Sequence, residues 1–409
     1  MMSEQSDQIQ DVIVIGAGLS GLSAATRLRS RSSDLKILVL EGSDRVGGRT
    51  ESIGITGPKG EKDTLDLGGH WISTLQTYVL DLAKELNVEY YPQNIQGTKV
   101  MEVGDNKVRT YTSEIPSLGS WMALVDVQRL LTKIENLVKE INIRDPYAHP
   151  QAREMDDTTV AAYLKTLTNY KSIHDMLNAA FIACYGCDMS QISLLFALAY
   201  ANAGGGLMNL FLVENGAAQE FRVKGGAQQF TVKMVEKFGK DNVLTGKAVT
   251  AIDKMEDGTG LVKCQDGTSF KAKKIICTTI ASQTVKIQFS PPMPTGRQSL
   301  LKNFYIGNLM KFYVLYEESF WKEDGYSGEV VSSGGISMSR SCEYGPISIV
   351  YDATTKTGVP ALVAFSGNFI LMQIRKNLSK SFAYYRNAQN WVNFLTKYPK
   401  LMPILRRRF

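Results

Sequence analysis

The sequence has few of the residues that build disulfide frameworks or metal sites. Its 409 residues include only 5 cysteines and 3 histidines. An odd number of cysteines spread over a long chain argues against a disulfide framework and for a reducing compartment. The one Cys-x-x-Cys pair, Cys184 and Cys187, has no second pair to complete a zinc site, so we interpret it as two buried helical residues one turn apart. The sequence therefore predicts no metal site.

The chain also has only a small excess of positive over negative charge. The chain has 46 basic and 40 acidic residues, a net charge of only +6, and its one compact basic cluster is Arg406 to Arg408. A protein that binds nucleic acid needs a basic face or stripe. With 44% hydrophobic and 21% charged residues, the composition is that of an ordinary globular protein, and we predict no nucleic-acid partner.

Long apolar runs of the kind that target or anchor a protein are missing too. The first segment, MMSEQSDQIQ, lacks the apolar core of a secretory signal. Residues 189–213 carry no charge and are long enough to span a bilayer, but glycines and asparagines interrupt their middle. We predict a buried helix that ends at the glycines, followed by an apolar strand. We expect an intracellular, cytoplasmic chain without a membrane anchor.

The most informative stretch that is present is DVIVIGAGLSGLSAATRL, residues 11–28, in which an apolar strand runs into three glycines. Gly16 allows a tight turn, and Gly18 lets the backbone approach a pyrophosphate. Gly21 lets the following helix pack close against the strand. The pattern predicts a strand–turn–helix unit that binds a dinucleotide.

A carboxylate follows at the position where such a unit holds a ribose. The segment ILVL, residues 37–40, is predicted to be a second buried strand, and it ends in Glu41. Glu41 lies about 20 residues beyond the last glycine, where an acidic side chain binds the adenosine ribose hydroxyls. An acid rather than an arginine disfavours a 2′-phosphate, so NAD or FAD is preferred over NADP.

Two further segments resemble the FAD-dependent amine oxidases and favour FAD over NAD. EGSDRVGGRT, residues 41–50, resembles the family's second dinucleotide motif, and LDLGGHWI, residues 65–72, resembles its next flavin-contacting loop. The resemblance implies that Arg49 supplies a planar positive group for the phosphates and that Gly68 and Gly69 contact the flavin. An NAD-dependent enzyme that uses only the first βαβ unit, the alternative, does not need the second motif.

The resemblance continues over most of the chain and is close to the monoamine and polyamine oxidases. Residues 221–239 resemble the family's glycine pair that leads into a helix. In residues 242–254, Val249 matches the position whose backbone faces the adenine. In residues 308–328, Lys311 matches the lysine that holds a water beside flavin N5, although an alternating strand also allows Lys311 to face outward.

The resemblance implies an α/β fold in which a Rossmann-like FAD-binding domain is interleaved with an α+β substrate domain. The expected FAD-binding segments are residues 1–87 and 216–290. The expected substrate-domain segments are residues 88–215, which form its helical part, and residues 291–409, which form its sheet part. The family's third FAD-binding segment is expected to be missing.

The implied activity is oxidative deamination of an amine, with oxygen as the electron acceptor and an imine or aldehyde and hydrogen peroxide as products. The partners are then a small-molecule amine and oxygen. The resemblance is also compatible with a homodimer and, for a full-length form, with location at the mitochondrial outer membrane. Lys311 is the expected catalytic residue, and the expected FAD-binding residues are Gly16, Gly18, Gly21, Glu41, Arg49, Gly68, Gly69 and Val249.

The chain ends in YPKLMPILRRRF, residues 398–409, where the family continues with a strand, a glycine-rich turn and a helix that faces the flavin. We expect this to be an unnatural or alternative end, and a genuine shortened protein is the alternative. Two other functions stay open. One is a catalytically impaired form of an amine oxidase, and the other is a polyamine or L-amino-acid oxidase.

Overall fold

The computed structural model describes residues 9–103, 108–113, 118, 120–214, 216–307, 309–332 and 347–366. The strands, in chain order, are β1 (Gln10–Ile15), β2 (Ile37–Leu40), β3 (Ser52–Thr56), β4 (Lys62–Asp66), β5 (Trp71–Ile72), β6 (Tyr90–Pro92), β7 (Thr98–Glu102), β8 (Val108–Tyr111), β9 (Phe221–Val223), β10 (Val243–Leu244), β11 (Val249–Lys254), β12 (Gly260–Cys264), β13 (Ser269–Cys277), β14 (Gln288–Ser290), β15 (Met310–Leu315), β16 (Tyr326–Ser332), β17 (Ile347–Asp352) and β18 (Ala361–Ser366). The α-helices are α1 (Leu19–Arg31), α2 (Thr77–Glu85), α3 (Trp121–Glu140), α4 (Ala152–Asp157), α5 (Val160–Leu167), α6 (Lys171–Tyr185), α7 (Leu194–Ala203), α8 (Leu207–Phe211), α9 (Gln229–Phe238), α10 (Ala281–Thr284), α11 (Thr295–Asn303) and α12 (Phe320–Glu323).

The first large sheet has seven strands in the order β10-β2-β1-β13-β12-β11-β14. Strand β1 lies parallel to both β2 and β13, and its apolar residues are buried. Successive side chains point to opposite faces of a strand. Val12 and Val14 accordingly pack in one core with helices α1 and α9, while Ile13 and Ile15 pack in another with strand β12. The predicted strand–turn–helix unit and the second buried strand are both confirmed.

The second large sheet has six strands in the order β15-β18-β17-β16-β7-β8. Strands β17 and β18 pair antiparallel. One face packs on helix α12 through Phe320 and Trp321. The opposite face carries Tyr313 and Tyr351, and it packs against Trp71, which precedes the helical part of the chain.

Helices α3 to α8 form a layer with its own apolar core. The segment after the glycines, Leu207–Phe211, is helix α8, so the strand predicted there is wrong. Leu207 and Leu210, three residues apart, both reach the helical core, and the Met208 N–H donates to the Glu135 carboxylate at 2.8 Å. Apolar composition cannot distinguish a short buried helix from a strand, and here the neighbouring helices decide the outcome.

The division into four chain segments stays a prediction. In the structure, the first sheet draws its strands from residues 10–40 and 243–290, and the second draws its strands from residues 98–111 and 310–366. The end of the chain, residues 398–409, lies outside the described residues. Within the described ranges, no helix is long and apolar enough to cross a membrane.

Candidate functional site

The turn after β1 needs glycine at two positions because of the protein's own packing. Gly16 has φ +104°, and a Cβ added there would lie 2.7 Å from the hydroxyl oxygen of Thr278. A Cβ on Gly21 would lie 1.9 Å from the carbonyl oxygen of Gly16, which no side chain tolerates. These two glycines therefore bring α1 close to the end of β1.

Gly18 differs, because the surrounding protein leaves room beside it. A Cβ added there would meet no atom closer than 3.8 Å. Gly18 caps α1, and because it has no side chain, the first N–H groups of this 13-residue helix have no side-chain cap. A helix N-terminus with accessible backbone N–H groups attracts phosphate. The lack of crowding at Gly18 would let a phosphate approach the backbone, and it is the observation that supports a dinucleotide here.

Glu41 is held beside this turn. Its carboxylate accepts hydrogen bonds from the Ala17 N–H at 2.8 Å and from the Ser43 N–H at 2.9 Å. The Ser43 hydroxyl also donates to it, at 3.0 Å. A carboxylate has about four acceptor positions, so one is left to accept from a sugar hydroxyl. The Lys247 N–H donates to the Glu41 carbonyl at 2.7 Å, and Val249 begins β11 two residues later. The structure thus brings the residues just before Val249 into contact with Glu41, although β2 and β11 are not neighbours in the first sheet.

The RVGGRT and LDLGGHWI segments lie against each other. The Gly69 N–H donates to the Arg49 carbonyl at 3.0 Å, and a Cβ on Gly68 would lie 2.0 Å from that same oxygen. Gly69 has room, since an added Cβ would meet nothing closer than 3.8 Å. The Arg49 side chain is exposed. Arg45, which the sequence analysis did not single out, shapes the loop through a hydrogen bond to the Gly48 carbonyl at 3.0 Å.

Lys311 joins the second sheet to this loop. Its amino group donates to the carbonyl oxygens of Asp66 at 3.2 Å and Gly68 at 2.5 Å. It also lies over the rings of Trp71 and Phe365, 5.9 and 5.7 Å from their centroids. Burial lowers the pKa of Lys311 to about 8, against the opposing effect of the Asp66 carboxylate. The outward-facing alternative for Lys311 is therefore wrong.

Three polar residues that the sequence analysis did not single out surround Lys311. The Asp66 carboxyl accepts from the Ser52 hydroxyl at 2.5 Å and the Ala227 N–H at 2.8 Å, and burial raises its pKa. The Tyr313 hydroxyl contacts the Asp66 carbonyl at 2.7 Å and His70 Nδ1 at 3.1 Å. Tyr313 is two residues from Lys311 on β15, so strand alternation would have placed them on one face.

A second polar cluster lies on the same face of the second sheet. Lys99 is buried, and its amino group lies 3.5 Å from the carboxylates of both Glu214 and Glu329. Glu329 is two residues from Val331, which packs with Tyr313 on the face described above. Burial raises the pKa of Glu329, with Lys99 opposing the shift. We call Lys99, Glu214 and Glu329 the distal carboxylate cluster, and its formal charge is one negative.

The Cys-x-x-Cys pair takes no part in this site. Cys184 lies in α6, whereas Cys187 follows the left-handed cap residue Gly186, so only one of the two is helical. Burial raises the pKa of Cys184 to about 12 and that of Cys187 to about 11, which makes both poor thiolates. The described part of the chain contains no group of three or more side chains that could hold a metal.

A family model described as flavin containing amine oxidoreductase matches residues 19–380. The chain belongs to this family. A relative from Dictyostelium discoideum, named "Probable flavin-containing monoamine oxidase A", is 30% identical over 363 residues, which cover 88% of this chain and 75% of the relative. The flavin-containing amine oxidase A of Canis lupus familiaris is 31% identical over 362 residues, which cover 87% of this chain and 64% of that protein.

Solved structures of amine oxidases share the fold. Wild-type putrescine oxidase bound to putrescine superposes with a TM-score of 0.82 at 25% identity, covering 97% of this chain and 82% of that one. Cyclohexylamine oxidase from Brevibacterium oxydans IH-35A superposes with a TM-score of 0.81 at 25% identity, again covering 97% and 82%.

Membership of the amine oxidoreductase family confirms several predictions from the sequence. The fold is α/β, with a Rossmann-like FAD-binding domain and a substrate domain. The protein is an enzyme of FAD-dependent oxidative deamination, its cofactor is FAD, and its reactants are a small-molecule amine and oxygen. The predicted homodimer and the cellular location stay predictions.

Proposed function

We propose that the glycine turn after β1 and the loops beside it hold FAD, and that Lys311 acts where the amine is oxidised. The observation that carries the proposal is the pair of hydrogen bonds from Lys311 to the Asp66 and Gly68 carbonyls, because it brings the second sheet to the glycine loop. The proposed FAD-binding residues are those of the sequence analysis: Gly16, Gly18, Gly21, Glu41, Arg49, Gly68, Gly69 and Val249.

Each part of the site has a distinct task in this proposal. The N–H groups at the start of α1 and the exposed Arg49 side chain bind the phosphates, and Glu41 binds a ribose hydroxyl. Bound FAD supplies the acceptor for the two electrons that the amine carbon gives up. Lys311 holds a water or releases a proton, which a lysine pKa of about 8 allows near neutral pH. Aromatic walls favour the neutral amine over the ammonium ion.

The domain assignment follows from the same proposal. Residues 1–87 and 216–290 form the FAD-binding domain, and residues 88–215 and 291–409 form the substrate domain. The described strands of each large sheet fall within these segments, which supports the division. The homodimer and the mitochondrial outer-membrane location of a longer form rest on the resemblance alone.

The first prediction concerns the 409-residue chain as it stands. After incubation with FAD and desalting, we expect it to keep a visible flavin spectrum and to release hydrogen peroxide with at least one amine. The measurement is absorbance followed by a coupled peroxide assay over primary amines, diamines, polyamines and L-amino acids. Flavin retention without peroxide would support the catalytically impaired form instead. Loss of the flavin spectrum would contradict the proposed FAD site.

A second candidate function, oxidation of diamines or polyamines, is favoured by the distal carboxylate cluster. Strands β15 and β16 are separated by β18 and β17 in the sheet, and the register places Lys311 level with Val331, two residues from Glu329. At the usual strand spacing and rise, the backbones at Lys311 and Glu329 are therefore about 16 Å apart. A substrate with a second cationic group could place one amine near Lys311 and the other near the net negative charge. A short monoamine has no group to reach it.

The second prediction separates these two substrate classes. We expect Glu329→Gln to raise KM for a diamine or polyamine by about ten- to a hundredfold, since one charge-assisted hydrogen bond is worth about 1.5–3 kcal/mol. KM for a monoamine of equal length should not change. The measurement is steady-state peroxide release with both substrates, and Glu317→Gln is the control. An equal effect on both substrates would show that Glu329 serves only the fold.

A further inference from the structure

The Asp66 carbonyl oxygen is shared by two donors from strand β15. It accepts from the Lys311 amino group at 3.2 Å and from the Tyr313 hydroxyl at 2.7 Å. A carbonyl oxygen has two lone pairs, so each donor can occupy one. The two donors share one carbonyl dipole, so the closer hydroxyl weakens the acceptor that remains for Lys311.

The hydrogen bond between Tyr313 and His70 fixes the state of the imidazole. The hydroxyl has one proton, and the Asp66 carbonyl, which can only accept, takes it. His70 Nδ1, 3.1 Å from the hydroxyl oxygen, must then carry a proton and donate it. His70 is buried, and burial together with the charges of Lys311 and Arg222 lowers its pKa well below the ordinary value. The ring is thus neutral and protonated at Nδ1.

The other ring nitrogen shows that His70 is not a simple packing residue. Nε2 is buried and has no hydrogen-bond partner in the part of the chain that the structure describes. A buried polar atom without a partner costs free energy that an apolar side chain of similar size would not cost. The donor at Nδ1 is therefore the feature that justifies a histidine at this position.

We propose that His70 and Tyr313 are positioning residues for Lys311: the imidazole holds the phenol, and the phenol restricts how tightly the Asp66 carbonyl binds the lysine amino group. The role of Lys311 in amine oxidation rests on the proposed function above. Neighbouring hydrogen bonds polarise one another, so the bond from His70 makes the Tyr313 hydroxyl a stronger competitor. The pair thereby weakens one of the two hydrogen bonds that hold Lys311 as an ammonium ion, while the bond to the Gly68 carbonyl at 2.5 Å stays as it is.

Other titratable groups face Lys311 and act alongside this pair. Burial lowers the pKa of Lys311 most, the Asp66 carboxylate raises it, and Arg222 on β9 lowers it. Arg222 itself lies over the ring of Tyr91 on β6. None of these groups changes when the Tyr313 hydroxyl is removed. Tyr313→Phe therefore isolates the competition for the Asp66 carbonyl, and it should raise the pKa of Lys311.

Histidine NMR tests the geometry without FAD or turnover. The chain contains only His70, His149 and His174, so ¹⁵N-histidine labelling gives three assignable rings. We expect His70 to be protonated at Nδ1 and to stay neutral at the pH where an ordinary histidine becomes charged, because burial lowers its pKa. Its signals should show one small step near pH 8 as Lys311 ionises, and this step should be lost in Lys311→Met. A proton at Nε2, or titration of His70 like an exposed histidine, would overturn the proposal.

Matched variants test the effect on Lys311. In Tyr313→Phe we expect the midpoint of the His70 step to move up by about one pH unit, the usual size of a shift from one partner. In Tyr313→Phe and in His70→Leu, the pH midpoint of the FAD-loaded oxidation rate should move in the same direction. His70→Asn, whose amide N–H stands near the position of Nδ1–H, should restore the midpoint of the rate. Tyr351→Phe, a buried tyrosine on the same sheet face, is the control.

The outcomes separate this proposal from the proposed function. Unchanged midpoints in Tyr313→Phe and His70→Leu, with normal thermal unfolding, would contradict the positioning role. A second outcome is that neither the natural chain nor Tyr313→Phe oxidises any amine, while the NMR midpoint still shifts in Tyr313→Phe. That result would support the positioning role and contradict the catalytic assignment of Lys311. If His70→Leu fails to fold, the pair Tyr313→Phe and His70→Asn still decides the question.

Discussion

Replacement of Lys311 by methionine should lower the rate of amine oxidation about 10²-fold or more, the usual contribution of a positioned proton-transfer group. The side chain keeps its length and apolar stem but loses the amino group that donates to Asp66 and Gly68. FAD content should not change, since no proposed FAD contact is removed. The measurement is single-turnover flavin reduction followed by reoxidation, with the exposed Lys302→Met as the control.

The same variant has a second signature in stability. The folded-state pKa of Lys311 is lowered to about 8 from its ordinary value of 10.5, so the unfolded chain binds more protons between these pH values. The free energy of unfolding of the natural chain should therefore rise with pH through this window. The contribution of Lys311 to that free energy is smallest below about pH 8, where the buried amino group is charged. Lys311→Met should lack that rise and melt no lower than the natural chain at about pH 7. A variant that loses stability at neutral pH would show that the buried ammonium stabilises the fold.

Substitutions of two glycines at the start of α1 should affect different properties, one the stability of the fold and the other FAD binding. Gly21→Ala should destabilise the fold by about 3 kcal/mol, because its methyl group would overlap the Gly16 carbonyl oxygen. Gly18→Ala should leave the free energy of unfolding within about 0.5 kcal/mol, since its methyl group meets only ordinary contacts. It should nevertheless weaken FAD binding about tenfold or more, because the methyl group would keep the pyrophosphate from approaching the backbone.

Urea unfolding and FAD titration together check this pair. Equal destabilisation by both substitutions would show that Gly18 serves packing as Gly21 does. Tight FAD binding in Gly18→Ala would show that the cofactor phosphates lie elsewhere. Gly54→Ala, on an exposed part of β3 with nothing within 4 Å of the added methyl group, is the control for loss of a glycine.

The features best predicted from the sequence are those set by residues close together in the chain. The strand, the glycine turn and helix α1 follow one another within residues 10–31, and each has a local pattern that requires it. The strand predicted after Gly206 failed because a short apolar run carries no period of its own. The neighbouring helices determined that outcome, and their positions are not local information.

The surroundings of Lys311 could be predicted only in part. Family resemblance singled out Lys311, and alternation along β15 places Tyr313 on the same face. Their partners lie more than 240 residues away in the chain, so no spacing rule connects them. Nothing in the letters GGHW distinguishes a packed histidine from one that holds a tyrosine. Only the contacts in the folded structure distinguish these two roles.

The position of β13 in the first sheet has a consequence for biosynthesis. This strand lies between β1 and β12, and its Ile275 pairs with Ile13. A ribosome makes β1 long before β13, so the backbone edge of β1 stays unpaired while the helical layer emerges. Helices α3 to α8 are local structures that can form during this interval. We expect nascent chains to hold a folded helical layer before the FAD-binding sheet closes, and a chaperone to be needed during that wait.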